Sequence, residues 1–505
     1  NFAKNITPGI SLSEVNGLAK KYITDANRDV LILAPEKDAA TLPSEAVVNG
    51  WIDQAKKEKL TAYVDQVSNK PLLAKKPFAG KIINEKKIEE IGVTELTLSN
   101  GVKIVLKPTD FKNDEIIFTS FSPGGTSLYS DADYQSATFS SPIVTRGGVG
   151  EFNSIQLPKL LTGKRVGVNP YISERAEGIN GSAAPKDLET ALQLVYLHFT
   201  APRKDAEMFQ AMIGQQKGVL ANRGNDPNSV FADTIAAVMG SYNIRRTGPS
   251  LAKLEQIKLD RAFEIYKERF ADASDFTFTF VGSFKVEEIK PLLAQYLGAL
   301  PAIKRVETAK DLGIIPPSGK VEKTVYKGQE PKATTRLVFT GDYIYNEDIN
   351  NQLDALGEVL QIKLIERLRE EESGVYSPRV QMTYSKFPRN RYSFTVSFGS
   401  SPENIDKLVA ATLNEINKIK EKGALATDIE KFLAEEKRTT EIQLKQNGFW
   451  SAYLQGQYQN NESPTQVLSY LDSLKKLTPE SLKEVANKYL SGDNMIKLVL
   501  LPANK

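Results

Sequence analysis

The chain is 505 residues long, with 41% apolar and 25% charged residues, 65 basic against 62 acidic side chains and a net charge of +3. That length leaves room for about three or four domains, and the ordinary composition lets each bury a normal core. The balanced charge, without a long basic block, points to no nucleic-acid partner, and the apolar runs fall far short of the ~20 residues that span a bilayer. There is no cysteine, which excludes disulfides, thiol catalysis and thiolate metal sites and suits an oxidising compartment such as a periplasm. The single histidine is His198, whereas a self-contained zinc hydrolase needs at least two imidazoles or thiolates.

The first predicted unit, Ile10 to Pro35, is a helix followed by a strand. Ser11 and Glu14 stand at capping-box spacing, Val15, Leu18, Ala19 and Tyr22 form a helical stripe, and Val30–Leu33 read as a short buried strand ended by Pro35. The unit recurs near the other end of the sequence. AKKYITDANRDVLILAP (19–35) aligns without a gap with ANKYLSGDNMIKLVLLP (486–502), matching Tyr22 to Tyr489, Asn27 to Asn494, Leu31 to Leu498 and Pro35 to Pro502. The second copy closes a long domain. The first is therefore expected to close a domain whose front precedes Asn1.

Residues Glu36 to Glu90 are rich in Lys, Pro and Ala, with one predicted helix near Glu45–Glu58, and read as an ordered linker. A hairpin follows: Thr94–Leu98, then Ser99-Asn100-Gly101, then Val102–Leu106, with Asn-Gly between alternating apolar residues. A strand is predicted at Ile116–Phe121, ending at Pro123-Gly124-Gly125, and helices at Gln156–Leu161, Asp187–Phe199 and Ala206–Leu220. Helix Arg261–Phe270 and strand Asp275–Val281 repeat the helix–strand unit a third time, which predicts internal duplication. In that strand Phe276, Phe278 and Phe280 alternate with Thr277 and Thr279, a half-buried pattern. Helix Val286–Leu297 closes the segment.

After a Pro- and Gly-containing link at Ile315–Gly319 come strand Thr335–Thr340 and helix Asn351–Arg369, with Leu353, Leu356, Leu360 and Leu364 on one stripe. Strands at Val375–Thr383 and Tyr392–Phe398, helices at Asn404–Lys422, Thr427–Leu444 and Thr478–Tyr489, and a strand at Met495–Leu501 complete the pattern. The predicted fold class is α+β: two homologous domains of largely antiparallel sheet with helices packed on one face.

Several features have plain structural readings. His198 points away from the apolar face made by Leu188, Leu192, Val195 and Phe199, so it is placed at the helix flank or surface; no Gly-x-Ser-x-Gly supports a Ser–His–Asp triad. Gly124-Gly125 and the glycines at 147, 148 and 150 lack a following Gly-Lys-Ser/Thr and read as turns. Glu370–Glu372 reads as a solvated acidic face.

Four segments carry a family resemblance: LTLSNGVKIVLKPTDF (96–111), SFSPGGTS (120–127), FTFVGSFKVEEIKPLLAQYLGALP (278–301) and LIERLREEESGVYSPRV (364–380). In order and spacing the chain resembles the C-terminal half of the pitrilysin/insulysin-like zinc metallopeptidases, the inverzincins. Members of that family are two halves of two domains each, closing like a clamshell around a chamber. The resemblance implies that residues 1–40 are the tail of a truncated second domain, 41–90 the linker, 91–305 a third domain and 316–505 a fourth. It implies zinc in the full-length protein, held by His-x-x-Glu-His and a distal Glu of the first domain. In the third domain the matching stretch, Ala137–Pro142, reads Ala-Thr-Phe-Ser-Ser-Pro, and Gln215–Lys217 lacks the distal carboxylate. No catalytic residue and no metal ligand is therefore expected in this chain; the ligands are expected in the missing N-terminal half.

In the fourth domain, Arg369 and Tyr376 match the family's substrate-binding Arg and Tyr, seven residues apart. Attack on a peptide carbonyl builds negative charge on oxygen, which a guanidinium or phenol donor stabilises. The bland alternative has Arg369 completing a helix C-terminus and pairing with Glu370–Glu372, with Tyr376 an ordinary strand aromatic. Gly374 would supply the helix-end turn. The resemblance further implies a peptide or small unfolded protein as substrate, the N-terminal half of the same chain as partner, and a periplasmic or envelope location. The rival reading is a metal-free structural or peptide-binding member of the family.

Overall fold

Ser11 begins the first long helix. Its hydroxyl accepts from the Glu14 N–H at 3.2 Å while the Glu14 carboxylate accepts from the Ser11 N–H at 2.7 Å, the reciprocal pair the spacing predicts. This helix is α1, Leu12–Tyr22; α2, Glu45–Lys57, starts from a Ser44 cap. The computed structural model describes residues 2–26, 28–34, 36–59, 70–373, 375 and 377–503, and the chain forms two compact units, 1–66 and 67–505. In the first unit neither α1 nor α2 buries a residue. The strand predicted at Val30–Leu33 does not form. A strand exists only where a neighbour completes its ladder, and no described residue supplies one here. Leu31 is 83% exposed, whereas its match Leu498 is fully buried. Asn27 and Pro35 lie outside the described residues.

In the second unit two sheets are laid down in chain order. The first draws on β1 (Ile82–Ile88), β2 (Val93–Leu98), β3 (Lys103–Pro108) and β4 (Ile116–Pro123). Helix α3 (Tyr134–Gly147) precedes β5 (Val166–Ile172) and β6 (Ala176–Ala183), followed by α4 (Leu188–Thr200), α5 (Ala206–Arg223) and α6 (Pro227–Met239). Then come α7 (Leu259–Arg269), β7 (Thr277–Gly282) and α8 (Val286–Tyr296). The strand order is β1-β2-β3-β7-β4-β6-β5, antiparallel except for β3 and β7. The Asn-Gly hairpin is present, with Gly101 at φ 99°. Strand β1 falls inside the stretch read as linker and pairs with β2 as the sheet's edge.

The second sheet repeats the plan. It contains β8 (Lys320–Tyr326) and β9 (Ala333–Asp342), then, after α9 (Glu347–Leu364), β10 (Arg379–Ser385) and β11 (Arg391–Ser400). Helices α10 (Ile405–Lys422), α11 (Ala426–Gln443), α12 (Asn447–Asn460) and α13 (Pro479–Tyr489) lead to β12 (Met495–Leu501). The order is β10-β11-β9-β12-β8. As β7 lies between parallel β3 and antiparallel β4, so β12 lies between parallel β8 and antiparallel β9. The helix–strand repeats α7–β7 and α13–β12 thus occupy equivalent places. That equivalence confirms the duplication seen in the sequence.

Each sheet carries its own segment's helices on one face. There Phe276, Phe278 and Phe280 are fully buried with Phe199 and Phe270 in the first core, each contributing about 1.5–3 kcal/mol by burial. The second core packs Leu353, Leu356, Leu360 and Leu364 of α9 against Phe394 and Phe339. On the opposite faces the two segments exchange cover. Trp450 and Leu454 of α12 lie on Val105 and Val281 of the first sheet, while Phe231 and Val238 of α6 lie on Val338, Ile496 and Leu498 of the second. This cover explains why β7 is buried at all six positions rather than half-buried: its second face meets a helix from the other segment.

His198 is also more enclosed than predicted. It is 5% exposed, because Leu194 and Leu197 pack with Val149 and cover the second side of α4. Its Nδ1 has no partner among the described residues, and burial pushes its pKa down to about 4. The Gly124-Gly125 turn serves a buried carboxylate, not a phosphate. Gly125 at φ 63° donates its N–H to Glu177 at 2.7 Å, and Glu177 is fully buried beside Arg269 at 3.5 Å. Burial pushes Glu177 up to about 7 despite that arginine.

Candidate functional site

The leucine stripe that holds α9 against the second core continues into an unusual turn. From Ile365 to Glu371 the helix widens to π winding, and the Glu372 N–H reaches back five residues to the Arg367 carbonyl at 3.1 Å. Leu368 stays fully buried, which anchors this wide turn while its other side chains face outward. Such π segments are frequent at functional sites because they redirect side chains without ending the helix. Ser373 ends it in the left-handed region at φ 49°. Gly374, predicted for that role, lies outside the described residues, as does Tyr376.

Arg369 sits on this turn and is exposed. Two of the three carboxylates beside it are committed elsewhere: Arg367 takes Glu371 at 2.6 Å and Glu372 at 2.7 Å, and Lys407 also takes Glu372 at 2.5 Å. Glu372 is therefore part of an ion-pair network rather than a freely solvated face. Among the described residues Arg369 itself has no ion pair or hydrogen bond. Arg369 does stand in the last turn of this helical segment, as the bland reading has it, but without an ion pair to Glu370–Glu372.

Arg369 lines a recess of about 610 Å³ with Gln361, Ile365, Arg379, Gln381 and Ser397. Strand β10 forms the rim, an edge strand whose Arg379 stands opposite Ser397 of β11. Gln361 ties α9 to this edge: its amide donates to the Pro378 carbonyl at 2.9 Å and its oxygen accepts from the Val380 N–H at 2.8 Å. Arg379 is exposed and, like Arg369, has no partner among the described residues. Two unneutralised guanidiniums above an amide floor suit a carboxylate or a carbonyl oxygen gaining negative charge. Arg379 and Gln361 were not singled out from sequence. The alternation of Arg379, Gln381 and Thr383 with Val380, Met382 and Tyr384 was the signal that puts Arg379 on the strand's outward face.

The stretch matching the family's metal motif lies on α3. Its donors are only hydroxyls, and those of Thr138 and Ser140 donate to the carbonyls of Tyr134 and Ala137 within the helix. Zinc sites use imidazole, thiolate and carboxylate, so these residues do not fit a zinc ion. Among the described residues no group of three or more His, Cys, Asp or Glu side chains is arranged to hold a metal, and no helix is long and apolar enough to cross a membrane.

Comparison with known proteins fits this plan. Residues 256–434 match the peptidase M16 inactive domain. The zinc protease PQQL-like protein of Arabidopsis thaliana is 30% identical over 468 residues, covering 88% of this chain and 46% of that protein. Among solved structures, the periplasmic protease PqqL from Escherichia coli superposes with a TM-score of 0.76 at 20% identity, over 99% of this chain and 55% of that one. A mutant of the ferredoxin protease FusC, solved in complex with Arabidopsis ferredoxin, gives 0.76 at 18% identity, over 92% and 51%. The chain thus spans about half the length of the relatives it matches. The matched peptidase M16 inactive domain, residues 256–434, lies in a chain whose fold is shared with these solved proteases.

Proposed function

We propose that this chain is the noncatalytic half of a zinc metalloendopeptidase, forming one wall of a chamber that confines a peptide or small unfolded protein. In that reading residues 1–40 complete a second domain with sequence lying outside this chain, 41–90 link the halves, and 91–305 and 316–505 are the third and fourth domains. The duplicated sheets and the half-length match to zinc proteases support it. Zinc belongs to the other half, where it supplies Lewis acidity for peptide hydrolysis. Arg369 and Tyr376 take the role of substrate-binding residues, and Arg369 donates to the carbonyl oxygen as charge develops there. The observation that carries this role is Arg369 left without a partner beside three carboxylates. Placement in the periplasm or envelope rests on the kinship with PqqL and on the absence of cysteine.

In the intact protein, Arg369→Ala is expected to lower kcat by roughly 10²–10³, with bound zinc unchanged and Arg369→Lys recovering part of the loss. Unchanged turnover would remove the residue from catalysis. An intact protein lacking zinc and peptidase activity would favour the metal-free peptide-binding reading.

A further inference from the structure

On the second sheet, away from the Arg369 recess, an open hollow of about 700 Å³ lies between the start of α9, the end of α12 and the loop that follows it. A smaller hollow of about 250 Å³ adjoins it, sharing Glu347, Tyr453, Gln457 and Tyr470. The walls are aromatic: the Tyr345, Tyr384, Tyr453 and Tyr470 rings line the larger part, and Phe449 stacks on Tyr453 at 5.7 Å in the smaller.

Amides are the commonest polar groups among these rings, but the charged groups, Lys386 apart, are the carboxylates of Glu347, Asp354, Glu436 and Glu462. Tyr384 donates its hydroxyl to Asp354 at 2.9 Å, and Tyr470 donates to Glu436 at 2.8 Å. These phenol hydrogen bonds leave the negative charge in place. Among the described residues, Asp354, Glu436 and Glu347 have no cationic partner within 4 Å. Burial raises the Asp354 pKa to about 6, and the Tyr384 hydrogen bond opposes that rise. One end of the hollow already displays the recognition this chemistry gives. There Lys386 lies 5.7 Å from the centre of the Tyr345 ring and pairs with Glu462 at 3.2 Å. Ring faces and carboxylates together attract a cation on an apolar stem more strongly than either does alone.

We propose that the part of this hollow bounded by Tyr384, Tyr453, Tyr470, Asp354, Glu436 and Glu347 binds a cationic group on an apolar stem, an alkylammonium or guanidinium head. A lysine or arginine side chain of a peptide and a free polyamine share that chemistry. The site stands on its own lining and does not depend on the peptidase reading, so it survives a negative result at Arg369.

Calorimetric titration of the chain with Nα-acetyl-lysine amide, Nα-acetyl-arginine amide and spermidine tests it, with Nα-acetyl-norleucine amide and Nα-acetyl-glutamate amide as controls. At least one cationic probe is expected to saturate while neither control does. Binding of the amino-acid amides assigns the site to peptide side chains; binding of spermidine alone assigns it to polyamines. Asp354→Asn with Glu436→Gln is expected to weaken binding at least tenfold. Glu347→Gln, which leaves the two phenol hydrogen bonds intact, is expected to weaken it about threefold and guards against misfolding of the double variant. The proposal is overturned if no cationic probe saturates, if norleucine amide binds equally well, or if the folded variants bind as the parent does.

Discussion

His198 and Glu177 are both buried in the first segment and respond to pH with opposite sign. Folding lowers the His198 pKa from 6.5 to about 4, so its contribution is present above pH 6.5 and lost as pH falls toward 4. Folding raises the Glu177 pKa from 4.5 to about 7, so its contribution is present below pH 4.5 and lost as pH rises toward 7. Between pH 4.5 and 6.5 the two slopes oppose each other, each worth roughly 3 kcal/mol across its range. Glu177→Gln is therefore expected to give stability that climbs with pH over that interval, and His198→Gln stability that falls. Urea midpoints should place the parent between the variants; a parent slope steeper than both would refute the opposition. Because His198 is the only histidine, its imidazole resonances titrate without overlap and should show a midpoint near 4. The apolar stripe that positions His198 was legible in α4. Its burial was not, because the residues that close over the second side of that helix come from distant stretches such as Val149.

At the scale of elements, the turn carrying Arg369 combines a buried anchor with a strained end. Leu368 is fully buried while Ser373 holds φ 49°, a conformation that glycine adopts without strain. Ser373→Gly is expected to stabilise the unit by about 0.5–1 kcal/mol, and Ser373→Val to destabilise it by about 1–3 kcal/mol. Thermal midpoints of the two variants should move in opposite directions; a shift of both the same way would show that the backbone angle is not the controlling factor. Elements with local signals were readable from sequence. The Asn-Gly hairpin, the Ser11–Glu14 cap and the α9 leucine stripe each form as predicted. The π winding has no local code, since it depends on keeping Leu368 in the core. The strand predicted at Val30–Leu33 failed for a related reason: its β-branched and leucine side chains fit a ladder, but a ladder is made by neighbours.

For the whole second unit, the exchanged helices couple the two sheets. Phe231 of α6 belongs to the back of the second sheet, while Trp450 of α12 belongs to the back of the first. Of the two tryptophans, Trp450 is 6% exposed and Trp51 58% exposed, so Trp51→Phe leaves a single buried reporter. In that background Phe231→Ala is expected to cost about 3–5 kcal/mol. The loss should move the Trp450 fluorescence transition as far as the far-UV circular dichroism transition. Separate transitions would mean that the sheets unfold independently. The order in which strands enter each sheet has a consequence for biosynthesis. Two interior strands, β7 and β12, are each the last of their sheet to be synthesised, and they join strands made long before. Until each emerges from the ribosome, β3 and β4, or β8 and β9, hold open edges facing one another across a gap only that strand fills. The nascent protein would therefore hold aggregation-prone edges open until residues 277–282 and 495–501 are available to fill them.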